Sequence, residues 1–318
     1  MIRPETTFCN LPRAELAGLD AAGLDAAGLN AAGLDADVAI LGAAHGTPYA
    51  PGTPSHAAGA PAALRAALEW YDTQRDHIDM DRGTPLMTGV VAVDLGDVPT
   101  DPDDDGAANR AAIREAVAGV RAAGAVPILL GGDDSVPIPF FEGFAGDRVW
   151  VVQVDAHLDW RHEVDGVTHG FSSTMHRASE MAQVAGIVQI GARGVGSARA
   201  GEVADAEAWG ARIFPMRRIH ADGLGPALAA IPEGARVVFN IDADSLDPAL
   251  CPGVLSPAFG GIGYQQMLDL FEGVAARGTI VGATLVEYVA GQDPVGLGAE
   301  ALARLLCNLI AAVGQRRG

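Results

Sequence analysis

Asp155, His157 and Asp159 stand at alternate positions where the apolar run Val151-Val152-Gln153-Val154 ends. In an extended chain they project to one side, which makes them half of a metal site. The run Val237-Val238-Phe239 leads in the same way to Asp242 and Asp244, and Leu129-Leu130-Gly131-Gly132 opens into Asp133 and Asp134. A fourth apolar run, 279–286, closes on a single carboxylate, Glu287. That much negative charge at one sheet edge would repel itself and resist desolvation unless a metal or a cationic ligand joined it. Carboxylates with one imidazole suit hard divalent ions, manganese better than zinc and with nickel as an alternative.

These residues need strands to deliver them. Buried strands are expected at 37–42, 90–97, 126–130, 151–154, 184–191, 211–214, 237–242 and 279–286. Helices are expected at 59–65, 107–123, 204–209, 224–231 and 299–313, with Pro61 in a first turn where its missing N–H costs little. The alternation gives an α/β fold: one domain, a three-layer αβα sandwich on a mostly parallel sheet, with its site at the carboxyl ends of the strands. Gly131 and Gly132 are expected to allow a sharp turn, and Ser135 to begin the next helix. Asp133 supports its neighbours, while Asp94 and Asp97 hold loop amides.

The chain has 318 residues and a net charge of -19, which argues against nucleic acid and anionic membrane as partners and favours the approach of small cations. An acidic solvated surface explains the same number. Cys9, Cys251 and Cys307 are far apart and suit a reducing compartment. No apolar stretch is expected to reach membrane-spanning length, and the N-terminus lacks the pattern of a leader, so the expected location is the cytoplasm. Residues 17–36 read as four near-copies of Ala-Gly-Leu-Asp-Ala. A period of five spreads the leucines around a helix and four short copies build no solenoid, so a mobile insertion in an N-terminal segment, 1–36, is expected ahead of a catalytic domain, 37–318.

The motifs resemble those of the ureohydrolase family of arginases, agmatinases and guanidino-acid amidinohydrolases. Gly131–Ser135 is similar to its Gly-Gly-Asp-His-Ser, Asp155–Asp159 to its Asp-x-His-x-Asp, and Asp242–Pro248 to its Asp-x-Asp-x-x-Asp-Pro, with Asp134 standing where the family has a metal-binding histidine. The resemblance implies an arginase-like fold and two divalent metals. Asp155 and Asp242 would bridge them, Asp134 and Asp159 would complete one, and His157 and Asp244 the other. It implies that Glu287 holds the substrate's guanidinium and that His169, of the pair His169-Gly170, transfers a proton. His45, Glu163 and Asp165 are candidate substrate contacts, each equally readable as a solvated loop side chain. The implied reaction releases urea and an amine from agmatine or a related substituted guanidine. Guanidinobutyrate, guanidine or N-substituted guanidines, and more weakly a formimino group, are alternatives, because the loop Cys251–Gly261 departs from the family's usual Gly-Thr-Gly-Thr-Pro. Relatives assemble as trimers or hexamers, so a homo-oligomer is implied. Asp134 also admits another reading, a degenerate paralogue that serves as the structural partner of an active subunit.

Overall fold

Each apolar run becomes one strand of a single sheet. The computed structural model describes residues 1–15, 34–74, 76–104, 106–196 and 198–314. Eight strands are β1 (Val38–Ala43), β2 (Ala92–Asp97), β3 (Val126–Gly131), β4 (Val149–Val154), β5 (Val184–Ile190), β6 (Arg212–Phe214), β7 (Arg236–Asp242) and β8 (Thr279–Val286). They lie in the order β2-β1-β3-β8-β7-β4-β5-β6, and every pairing among them is parallel. Parallel sheets have both faces covered, which is why these strands read as nearly continuous apolar runs.

Alternate residues feed two cores. Ile40, Ile128, Leu130, Val152, Phe239 and Leu285 meet the helices α1 (Ala60–Ala66), α6 (Met216–Asp222), α7 (Gly225–Ala229), α8 (Tyr264–Arg277) and α9 (Leu297–Gly314). Leu41, Val93, Leu129, Val151, Ile187 and Val238 face α2 (Ala107–Ala122), α3 (Pro137–Glu142), α4 (Thr174–Ser179) and α5 (Ala200–Trp209). The result is the expected three-layer sandwich.

Some expectations are corrected. Helix α9 is, by length and composition, apolar enough to cross a membrane, with mean hydropathy 1.5, although the sequence was not expected to hold such a stretch. In the fold it is a core helix, with 67% of that window buried. Ser135 does not cap α3: its hydroxyl donates to Asp133 Oδ1 at 2.5 Å and accepts the Thr47 N–H at 2.8 Å. Gly131 and Gly132 have no positive φ. They are required by close approach instead, since a Cβ on Gly132 would lie 2.2 Å from the Ala44 carbonyl oxygen and one on Gly131 2.7 Å from Val286 Cγ1. The leading residues Met1–Glu15 lie along the β2 edge, where Ile2 exchanges backbone hydrogen bonds with Asp97 and Phe8 and Cys9 are buried. Residues 17–33 of the repeat lie outside the described residues.

Candidate metal centre

Four adjacent strands at the middle of the sheet, β3-β8-β7-β4, end on one side and deliver the acids. The expected extended alternation stops where the strands stop. After β4 the Asp155 carboxylate accepts the His157 N–H at 2.6 Å, and Asp159 takes a left-handed φ of 47°. After β7, Asp242 Oδ1 accepts the Asp244 N–H at 2.7 Å as residues Ala243–Ser245 close a 3₁₀ turn. In both places an unsatisfied amide at a strand end is captured by an aspartate two residues back, and the turn, rather than the pleat, gathers the side chains. Arg193 braces this geometry: its guanidinium donates to the Asp244 carbonyl at 2.6 Å and the Leu246 carbonyl at 3.2 Å.

Two groups of donor atoms result, each within 4.8 Å of one another: Asp134, Asp155 and Asp242 in one, and Asp155, His157 and Asp244 in the other. Asp155 is common to both. His157 Nδ1 lies 3.0 Å from Asp244 Oδ2, and Gln153 Nε2 donates to Asp155 at 2.8 Å and to Asp159 at 3.1 Å. Asp159 belongs to neither compact group but lines the same cleft.

Burial, then repulsion from neighbouring carboxylates, holds Asp134, Asp159 and Asp242 well above the usual carboxylate range. His157 resists burial through its bonds to Asp155 and Asp244, which push it up to about 11. Asp134 Oδ2 is buried without any hydrogen-bond partner. An oxygen stranded among repelling carboxylates, with an imidazole alongside, fits a pair of hard divalent cations in both charge and donor type. A separate surface group, His162, His176 and Glu180, already has a cation: Arg177 Nη2 lies 3.0 Å from His162 Nδ1, and Nη1 lies 3.1 Å from Glu180 Oε2.

Glu287 sits just past β8 at φ 65°, and its Oε1 accepts the Asp134 N–H at 2.8 Å. Its Oε2 pairs with His56 Nε2, a loop residue that no sequence motif singles out. The cleft encloses about 220 Å³ and is lined by Asp134, His157, Asp159, Asp242, Asp244 and Glu287, with Arg161, Phe171, Ser172, Gly196, Leu255 and Ser256 completing the wall. Arg161 is the one guanidinium among the described residues of that wall. Leu255 and Ser256 come from the Cys251–Gly261 loop, whose departure from the family pattern leaves the substrate open.

None of the other candidates is among the described residues of that wall. His169 is half-buried, with Nδ1 2.8 Å from Thr168 Oγ1 and its pKa lowered by burial and by Arg110 and Arg177. His45 Nδ1 accepts the Ser55 N–H at 3.3 Å. Glu163 and Asp165 are exposed on the small turn that pairs Val164 with Val167. Asp94, expected to hold loop amides, does so for Phe8 and Gly96, but its main partner is the buried Arg65 guanidinium at 2.8 and 3.1 Å.

Comparison with known proteins agrees with this geometry. The Arginase family model matches residues 36–312. A formimidoylglutamase of Halobacterium salinarum is 35% identical over 262 residues, spanning 79% of this chain and 80% of that protein. A mitochondrial arginase of Medicago truncatula is 29% identical over 268 residues, spanning 80% and 76%. The solved proclavaminate amidino hydrolase of Streptomyces clavuligerus shares the fold with TM-score 0.79 at 23% identity, covering 97% of each chain. With the match extending over the strands and turns that build the acidic cleft, the chain belongs to the arginase family of hydrolases.

Proposed function

We propose that this chain is a binuclear-metal hydrolase that breaks a C–N bond of a guanidino compound, releasing urea and an amine. The observation that carries the reading is the cleft of buried acids around the unpartnered Asp134 Oδ2. Asp134, Asp155, Asp159, Asp242, Asp244 and His157 would hold two divalent ions, manganese by donor type with nickel as the alternative. Such a pair supplies Lewis acidity that ionises water near neutral pH.

The chain's own residues supply the rest. Glu287 is fixed by the Asp134 amide and by His56, and each of its oxygens keeps a lone pair for a planar amidinium. Its left-handed backbone is strain of the kind that persists when surroundings over-determine a functional position. His169, with Nδ1 engaged by Thr168, keeps Nε2 to carry a proton to the departing amine as the C–N bond breaks.

Arg161 narrows the substrate. A guanidinium in the wall of an otherwise acidic cleft favours a substrate tail ending in carboxylate over one ending in ammonium, hence guanidinobutyrate over agmatine. The same residue favours one second reading, hydrolysis of an N-formimino amino acid, and the Halobacterium relative carries that activity in its name.

Product analysis of manganese-loaded protein tests both. Urea should form from 4-guanidinobutyrate at least about tenfold faster than from agmatine, with Arg161→Ala narrowing the gap. Formamide from N-formiminoglutamate, with no urea from any guanidine, would move the assignment to the second reading. No product from any compound would overturn the catalytic reading in favour of the partner-subunit one.

A further inference from the structure

Asp134 shows a division of labour between its two oxygens. Oδ1 accepts a hydrogen bond from Asn240 Nδ2 at 2.9 Å, while Oδ2 is buried and has no partner; the residue belongs to the donor group with Asp155 and Asp242. Asn240 is fully buried on β7, two residues before Asp242 and therefore on the same face of the strand. Its own amide is oriented from the neighbouring strand: the Thr284 hydroxyl on β8 donates to Asn240 Oδ1 at 2.5 Å. With the oxygen of the amide committed to Thr284, the NH2 must face Asp134. The Thr284–Asn240–Asp134 chain thus crosses from β8 to β7 and back to the turn after β3.

We infer that Asn240 is a positioning residue for metal binding, one that occupies Asp134 Oδ1 so that Oδ2 alone is presented to an ion. The inference rests on the metal-site reading above. A free carboxylate can rotate, or clamp a cation with both oxygens. A carboxylate with one oxygen tied to a buried amide is held from rotating, so the direction in which Oδ2 faces an ion is set before the ion arrives. Thr284 contributes only through Asn240. The role is specific to a ligand with two equivalent oxygens: a histidine at position 134 has no second oxygen for Asn240 to occupy.

Mn2+ titration of the full chain by calorimetry, with bound metal counted after gel filtration, tests this without reference to turnover. Asn240→Ala should weaken one of two ions by about 10- to 100-fold, as loss of an outer partner commonly does. Thr284→Val, which leaves Asn240 in place and removes only its orienting hydroxyl, should weaken the same ion by less and serves if Asn240→Ala fails to fold. In an Asp134→His background the same two substitutions should change Mn2+ affinity by less than about twofold. Wild-type affinity retained in Asn240→Ala and Thr284→Val, or equal losses in the aspartate and histidine backgrounds, would overturn the inference alone. A wild-type chain that takes up no Mn2+ would overturn the metal-site reading as well, so the two failures are distinguishable.

Discussion

Two buried ionic clusters lie beneath the loops of this sheet, and they differ in their balance of charge. Around β1 and β2, the guanidinium of Arg65 meets Asp94 at 2.8 and 3.1 Å and Asp97 at 2.6 Å. Amides of Phe8 and Gly96 take up the remaining capacity of Asp94, so the cluster is complete as it stands. Beneath the central strands six carboxylates, Asp134, Asp155, Asp159, Asp242, Asp244 and Glu287, outnumber the basic groups set against them, His157 and His56 in direct pairs and Arg161 in the cleft wall, and Asp134 Oδ2 has no partner. A buried cluster whose charges are paired and hydrogen-bonded holds a fold together. An unbalanced one is built around something that must arrive, and here both the metal and the substrate's amidinium carry the missing sign.

The comparison can be broken from either side. The largest effect is expected from Asp155→Ala, since Asp155 serves both donor groups. Hydrolysis should fall by more than the ~100-fold that an outer partner costs, and bound Mn2+ counted per chain should drop with it, while the metal-free protein melts no lower than wild type. Asp94→Ala should do the reverse. Leaving the buried Arg65 with Asp97 in place of two carboxylates should cost up to about 3–5 kcal/mol in denaturant unfolding, with Mn2+ affinity unchanged in the molecules that remain folded.

Metal removal sharpens the contrast through pH. Asp134, Asp159 and Asp242 are raised by burial and by one another, so in the metal-free protein their folded values exceed the ordinary ~3.9. Their protonation favours folding; that stabilisation is complete below the unfolded value and is lost as pH rises through the folded ones. Asp244 and Glu287 are raised as well, and Asp155, where His157 overcomes the effect of burial, works in the opposite sense, one carboxylate against five. Chelator-treated protein should therefore melt lower at pH 8 than at pH 5.5, and manganese-loaded protein should not show that fall. A calorimetric series in which both forms respond alike to pH would contradict the charge argument. The smallest effect belongs to the cleft wall: Tyr49→Phe removes the hydroxyl that accepts the Ser172 N–H at 3.0 Å, and should cost about 1 kcal/mol of stability.

Much of this was legible in the chain because strands announce themselves by composition, and a carboxylate ending an apolar run has few bland explanations. The sandwich and the positions of Asp134, Asp155, Asp242 and Glu287 at strand ends follow from that alone. The residues that orient them were harder to see. Gln153 and Asn240 lie inside apolar runs, two places before a named aspartate, and the period of two could have found them. His56 could not be found that way, because it reaches Glu287 from a loop 231 residues distant and no local pattern encodes such a contact. Arg161 stands two residues after Asp159 in a loop without periodic pattern, and only the fold shows that it lines the cleft. The turns at Asp155 and Asp242 escaped because a strand was assumed to continue where its hydrogen-bond partners had ended.

The most direct test of the central claim is metal content. Inductively coupled plasma mass spectrometry of the desalted, Mn2+-loaded full chain, run beside urea and formamide release, should find about two ions per chain and turnover that rises with the second. Full turnover with one ion or none would contradict the account, because the excess charge of the cleft would then have to be balanced by something other than metal.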